Sequence, residues 1–332
     1  MKKILFTTLA VAALGAIFHG LGLWKIIPWS LVYSDVLGFY ERIAPPGLPY
    51  VEKLIEYPVL TGIFMQVMSW LGVTRAGYYI VSAIALLAII GFSTHFLWKL
   101  TPENNRRHLW IYWAFAPSML VFSLLNWDFI AIFFVLAAFY FYRREKNIFS
   151  AIMLGLGFSA KFYPAIYLPL LIFKIRDWGG RIKAGAAFLL TAAAANLGFA
   201  LADFEGWSFF FRLNGERTSN NDSIWTIFRF LFGDFNISTI NNLSLLLFAG
   251  GLLWILWRLK SASFERQAFA ATLLFLLVNK IFSPQYILWL LPFFVLSGNP
   301  LLPPPSKEGG GSWWGIVNFY LLEFSNIAAF FM

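Results

Sequence analysis

Apolar residues fill long runs of this chain, and polar residues collect in the gaps between them. A membrane-crossing helix needs about 20 predominantly apolar residues. Eleven segments approach that pattern: Ile4–Trp24, Gly77–Trp98, Leu109–Leu125, Phe129–Tyr142, Ile148–Ala160, Pro164–Phe173, Ala184–Ala202, Ile240–Trp257, Ala268–Asn279, Tyr286–Leu296 and Trp313–Phe331. A further apolar stretch, Pro58–Leu71, contains Gln66 and runs only about 14 residues, a length that suits a buried or interfacial helix better than a span. The pattern predicts an all-α polytopic membrane protein with about 11 transmembrane helices, residues 1–332 forming a single integral membrane domain. The opening "MKKILFTTLAVAALGAIFHGLG" stays apolar through Leu23 and Trp24. That is longer than a signal-peptide core and has no A-x-A site behind it, so it reads as an uncleaved first helix.

Two regions break the apolar pattern. Residues 25–76 form the first long external loop, carrying Asp35, Glu41, Glu52 and Glu56 as well as the non-spanning helix. Residues 203–238 form the second, where "WSFFF" and "IWTIFRFLF" are interleaved with charges. Aromatic and charged residues mixed in this way suit short amphipathic helices at the water–lipid boundary. No internal repeat is visible, so the inverted-repeat sign of many transporters is missing. The low-complexity "GNPLLPPPSKEGGGS" reads as a connector before the last helix.

Composition agrees with this picture and sets the topology. The chain is 60% hydrophobic and only 12% charged, against roughly 25% charged in ordinary soluble proteins. The net charge of +9 would suit nucleic acid in a soluble chain. Here the cations fall on one side instead. With Pro58–Leu71 non-spanning, 16 of the 25 basic residues lie in one set of loops, which the positive-inside rule assigns to the cytoplasm. The N-terminus is then cytoplasmic, the C-terminus and both long loops are external, and no nucleic-acid partner is expected. Counting Pro58–Leu71 as a span would put four of the basic clusters outside. The absence of cysteine excludes disulfides, thiol nucleophiles and cysteine metal sites.

The polar residues at the helix ends are the candidates for chemistry. Asp35, in "LVYSDVLGFYER", suits a helix N-cap as a residue type, and Glu41 beside Arg42 suits a solvated loop. Glu56 and Tyr57, in "EYPVL", precede Pro58, which fits a helix first turn. Asn126 and Asp128, in "NWDF", and Lys161 and Tyr163, in "AKFYP", occupy external helix junctions. A lysine there can simply snorkel to water or attract a phosphate as a point charge. Asn279, Lys280 and Gln285 crowd another external turn, "NKIFSPQY", at a depth where polar residues are functional candidates by default. Arg212 lies in the second loop. Glu323 sits within the last apolar run. Individually these signals are weak, but Asp35, Asp128, Lys161, Lys280 and Gln285 all fall on the external side. A carboxylate that takes a hydroxyl proton, with cations that hold a phosphate, is the equipment for group transfer from a polyprenyl-phosphate sugar. Asp35 suits the base; Lys161, Lys280 and Arg212 suit the phosphate.

The combination "YSD…PY…EYPVL", "NWDFIAIFFVLAAFY", "GLGFSAKFYPAIYLPLLI" and "NKIFSPQYILWLLP" resembles membrane glycosyltransferases of the C-type (GT-C) fold. It is most similar to the polyprenol-phosphate-mannose-dependent mannosyltransferases of glycosyltransferase family 87, and also to the first mannosyltransferase of glycosylphosphatidylinositol synthesis. The resemblance runs from Asp35 to about Pro292. It implies a catalytic aspartate in the first external loop, which maps onto Asp35. It also implies inverting transfer, on the outer face of the cell's inner (plasma) membrane, from a polyprenyl-phosphate donor to a lipid-linked or glycan acceptor. Some C-type enzymes carry Asp-x-Asp there. Ser34-Asp35-Val36 has no second acid until Glu41, so neither a metal nor a cofactor is expected. The competing readings are a lipid or solute transporter or flippase, which would spread polar residues through the membrane depth, and a non-catalytic scaffold.

Overall fold

Helices form wherever the apolar runs lie. The computed structural model describes residues 1–24, 27–297 and 311–331, and these contain no strand beyond one isolated bridge between Pro49 and Lys53. The connector before the last helix lies mostly outside the described residues. Helix α1 (Lys2–Gly20), α2 (Val59–Leu71) and α3 (Arg75–Leu100) open the chain. α1 and α3 run antiparallel. Gly91 faces Leu5 and Leu9 at one end, and the Tyr79 hydroxyl donates to the Ala16 carbonyl at 2.5 Å near the other.

The segment expected as one span at Leu109–Leu125 is broken. A short turn at Arg107–Leu109 passes into a π-helical turn, Trp110–Ala114, and α4 (Pro117–Phe122) starts afresh behind it. Pro117 has no N–H to continue an upstream helix, and its ring excludes the preceding carbonyl. Glu323 finds its partner here, as its carboxylate accepts the Ser118 N–H at 2.7 Å and so caps α4.

Downstream come α5 (Asp128–Tyr142), α6 (Asn147–Ala160), α7 (Tyr167–Lys174) and α8 (Trp178–Ala202). Then follow α9 (Phe204–Glu216), α10 (Ile224–Phe232), α11 (Ile237–Arg258), α12 (Phe264–Val278), α13 (Leu291–Ser297) and α14 (Gly311–Phe331). α6 is central, packed between α5 and α8. Side-chain caps fix several starts: Thr74 for α3, Asp177 for α8, Asp203 for α9, Asn236 for α11 and Ser263 for α12 each accept an N–H from the first turn.

Among the described residues, four helical stretches have the length and apolar character to cross a bilayer: Lys2–Leu23, Arg75–Leu100, Trp178–Ala202 and Ile237–Arg258. Six further apolar helices are shorter, Val59–Leu71 among them. α8 and α11 leave Leu189, Leu190, Leu245, Leu246, Leu253 and Trp257 exposed. Apolar surface on that scale is stable only against lipid, and the chain is a multi-pass membrane protein.

The described parts of both long loops pack against the helices. The first contains three one-turn helices, Trp29–Val32, Asp35–Gly38 and Tyr40–Ile43. Its later part is anchored by Tyr50, whose hydroxyl reaches the Tyr57 and Pro58 carbonyls at 2.7 and 2.9 Å. A Cβ on Gly62 would stand 2.0 Å from that hydroxyl, so only glycine lets α2 approach. Lys53 is held by the Ile43 carbonyl and by Gln66, which gives the buried amide of α2 a partner. The second loop lies over the turn after α12. Asn220 bonds the carbonyls of Lys280 and Phe282, and the Trp225 indole donates to the Val278 carbonyl at 2.9 Å.

Candidate active site

The backbone brings the first loop to the "NWD" turn. The Asp35 N–H donates to the Leu125 carbonyl at 2.8 Å, and the Ser34 hydroxyl reaches the Leu124 and Leu125 carbonyls at 3.2 Å. Ser34 stands at the N-cap position of the Asp35–Gly38 turn without a side-chain cap bond, and the Asp35 carboxylate does not cap either. It accepts from the Tyr33 hydroxyl on one oxygen and from the Tyr57 hydroxyl, at 2.9 Å, on the other. Among the described residues Asp35 makes no ion pair. Burial pushes its carboxyl above the ordinary range. The two phenols and the charge of Lys161 act in the opposite direction without cancelling the effect.

Asp128 is arranged differently. Asn126 Oδ1 accepts the Asp128 N–H at 2.9 Å, a local bond that relieves the aspartate of any capping duty. Its buried carboxylate turns inward, ion-paired with Lys161 and accepting the Trp289 indole N–H at 3.0 Å. Lys161 follows the last residue of α6, where the Thr61 hydroxyl holds the Ala160 carbonyl at 2.7 Å. Its ammonium lies between 5.5 and 5.7 Å from the ring centres of Tyr57, Tyr286 and Trp289. Burial opposes its charge more than any single neighbour favours it, but Asp128, Tyr286 and Asp35 together raise its pKa above the usual lysine value. The rings continue as a stack. Tyr163 and Tyr286 sandwich Trp289, with centroids 4.1 and 4.2 Å away.

A cavity of about 420 Å³ opens beside these groups, within the size range of small-molecule sites. Its wall takes Glu56, Tyr57, Asn126, Lys161, Tyr163, Asn279, Lys280 and Gln285 from the residues singled out in the sequence. Asp35 stands behind Tyr57, joined to the wall through that hydroxyl, and Asp128 stands behind Lys161. Glu56 pairs with Arg42 at the rim. Glu41 is exposed and outside the wall. Arg212 also lies apart: its guanidinium donates to the Glu205 carbonyl at 2.9 Å, on the exposed side of α9.

Arg217, Asn214, Tyr286 and Trp289 line the cavity without having been anticipated. Arg217 follows the last residue of α9, where the chain turns back over the Asn279–Phe282 turn. Lys280 donates to the Gly215 carbonyl at 2.8 Å, which brings the two cations to one side. Burial lowers the Lys280 pKa, and the nearby Arg217 charge lowers it further. Along the sequence Trp289 is part of an apolar run, and Pro284 marks the tight turn in which that run begins. Among the described residues no cluster of His, Asp and Glu has the makings of a metal site.

The arrangement therefore offers one carboxylate bonded only by neutral donors behind the wall, and a pair of cations, an aromatic stack and several side-chain amides lining the cavity. No solved structure matches the chain significantly. Three curated fungal proteins do, each named GPI mannosyltransferase 1. The one from Eremothecium gossypii is 23% identical over 95% of this chain and 86% of its own length. That from Kluyveromyces lactis is 27% identical over 83% and 75%, and that from Saccharomyces cerevisiae 25% over 84% and 76%. The sequence profile of glycosyltransferase family 87 matches residues 55–284, more than half of the chain, and the chain belongs to that family.

Proposed function

We propose that this glycosyltransferase moves a mannosyl group from a polyprenyl-phosphate carrier to a hydroxyl of a lipid-linked acceptor, with inversion, at the external face of the membrane. The names of the fungal relatives support the sugar, and the positive-inside count supports the face. The observation that carries the mechanism is the contrast in carboxylate partners. Glu56 and Asp128 are tied to cations, whereas Asp35 is held only by phenols and has its basicity raised by burial.

In this reading the acceptor hydroxyl gives its proton to Asp35 as its oxygen forms a bond to the anomeric carbon. The bond from that carbon to the phosphate oxygen breaks on the opposite side, and the electron pair leaves with the phosphate. A base with raised pKa is matched to that proton transfer. The departing phosphate gains negative charge, and Lys280 with Arg217 stabilise it as charge-assisted donors. Lys161, neutralised by Asp128, holds Tyr57 and Tyr286 in place by cation–π contact rather than meeting the phosphate. The face of Tyr286 at the end of the ring stack suits the apolar face of a pyranose.

The test is transfer by the protein reconstituted in vesicles, supplied with radiolabelled polyprenyl-phosphate mannose, glucose or arabinose and a lipid-linked acceptor. Mannose transfer by the wild type and its loss in Asp35→Asn is the expected result. Equal transfer by the two, or transfer of glucose or arabinose in place of mannose, contradicts the reading.

A further inference from the structure

Far from the cavity, a second recess faces outward between α1 and α3. It is apolar, about 700 Å³ in volume, and lined on one side by Leu5, Phe6, Leu9 and Ala13 and on the other by Ala88, Gly91, Phe92 and His95. It lies towards the end where α1 begins and α3 finishes. The other end of α1 leads into the loop that carries Asp35.

The two walls end alike. On α1 the positions 13, 9, 6 and 2 share one helical face, as do 88, 92, 95 and 99 on α3, because residues three and four apart are neighbours. Both apolar stripes therefore terminate in a lysine, Lys2 on one wall and Lys99 on the other, with Lys3 beside them. All three are exposed, and among the described residues none is ion-paired. His95 adds an imidazole one turn below Lys99, within the recess itself.

We infer that this recess is a binding site for an anionic glycerophospholipid of the leaflet opposite the cavity, its acyl chain between α1 and α3 and its phosphate at Lys2 and Lys99. Length distinguishes this occupant from a partner helix. From Leu5 to Ala13 the recess runs about 12 Å along the helix axis, close to one leaflet's share of a hydrocarbon core about 30 Å thick. A transmembrane partner would need a complementary face along both leaflets. Charge makes the second distinction, since paired lysines at the head of an apolar groove select an anionic headgroup over a zwitterionic one.

Native mass spectrometry of the full chain, released from nanodiscs of equal phosphatidylglycerol and phosphatidylcholine, reads the occupant directly. The wild type is expected to retain one phosphatidylglycerol at about tenfold preference, and millimolar inorganic phosphate should not displace it. Lys2→Ala with Lys99→Ala should bring the preference close to unity. Ala88→Trp, a change at an exposed position that fills the groove, should abolish retention of either lipid, so the test does not depend on one variant folding. Equal retention of both lipids by the wild type, unchanged preference in the lysine double variant, full retention in Ala88→Trp, or a copurifying transmembrane polypeptide in place of lipid would each overturn the inference.

Discussion

Asp35 and Asp128 are both aspartates beside the same cavity, and both fit an N-cap by residue type, yet the fold gives them opposite surroundings. Asp128 is buried against a lysine and an indole N–H. Asp35 is only partly buried, against two phenols. The ion pair commits the Asp128 carboxylate to Lys161 as a structural partner. Asp35, bonded by neutral donors and partly withdrawn from water, keeps an elevated affinity for the proton. In the proposed mechanism proximity to the cavity does not distinguish the two carboxylates; the charge of their partners does.

Substitutions can break this comparison, and the largest effect falls on Asp35. Asp35→Asn keeps the size and the hydrogen-bonding reach but cannot take a proton, and transfer should fall about 10²–10⁴-fold with the folded state intact in a thermal melt. Asp128→Asn should act mainly on stability. It leaves Lys161 buried without its counter-charge, a loss of about 3–5 kcal/mol, readable as a large drop in melting temperature. Pairing it with Lys161→Met should recover much of that loss, because the uncompensated charge is then gone. Gly62→Ala is a smaller test of the loop scaffold. Its new methyl meets the Tyr50 hydroxyl, and overpacking of this kind costs about 1–3 kcal/mol, again measured by thermal unfolding.

The smallest expected effect is the most specific. Tyr57→Phe removes a hydrogen bond that favours ionised Asp35, so the already elevated carboxyl pKa must rise further. Since the base works only when deprotonated, transfer is lost as pH falls through that value. The acid limb of kcat/KM should therefore lie above the ordinary aspartate range in the wild type and move to still higher pH in Tyr57→Phe. An acid limb that stays in place in Tyr57→Phe would separate Tyr57 from the base.

Much of the helical layout was legible in the sequence because apolar run length is a strong signal, as at Arg75–Leu100 and Trp178–Ala202. The break within Leu109–Leu125 was legible only in part. Pro117 announced it, but the π-helical turn before it arises from packing and left no local mark. In the cavity wall, Lys161 and Lys280 were visible as polar residues at apolar helix junctions. Arg217 was not, because the second loop carries Arg212, Arg217 and Arg229, and nothing local says which of them lines the cavity. The end of α9 decides it: Arg212 remains on the exposed side of the helix, while Arg217 follows the chain back over the Lys280 turn. Tyr33 lies two residues from Asp35, but the other partners that separate Asp35 from Asp128, Tyr57, Lys161 and Trp289, come from far away in sequence, and no short motif encodes them.

Single-turnover transfer by Asp35→Asn, at saturating donor and acceptor and with donor affinity measured in parallel, tests the central claim most directly. The account predicts a rate at least about 10²-fold below wild type with donor affinity essentially unchanged. A rate close to that of the wild type, or a loss explained entirely by weaker donor binding, would contradict Asp35 as the base.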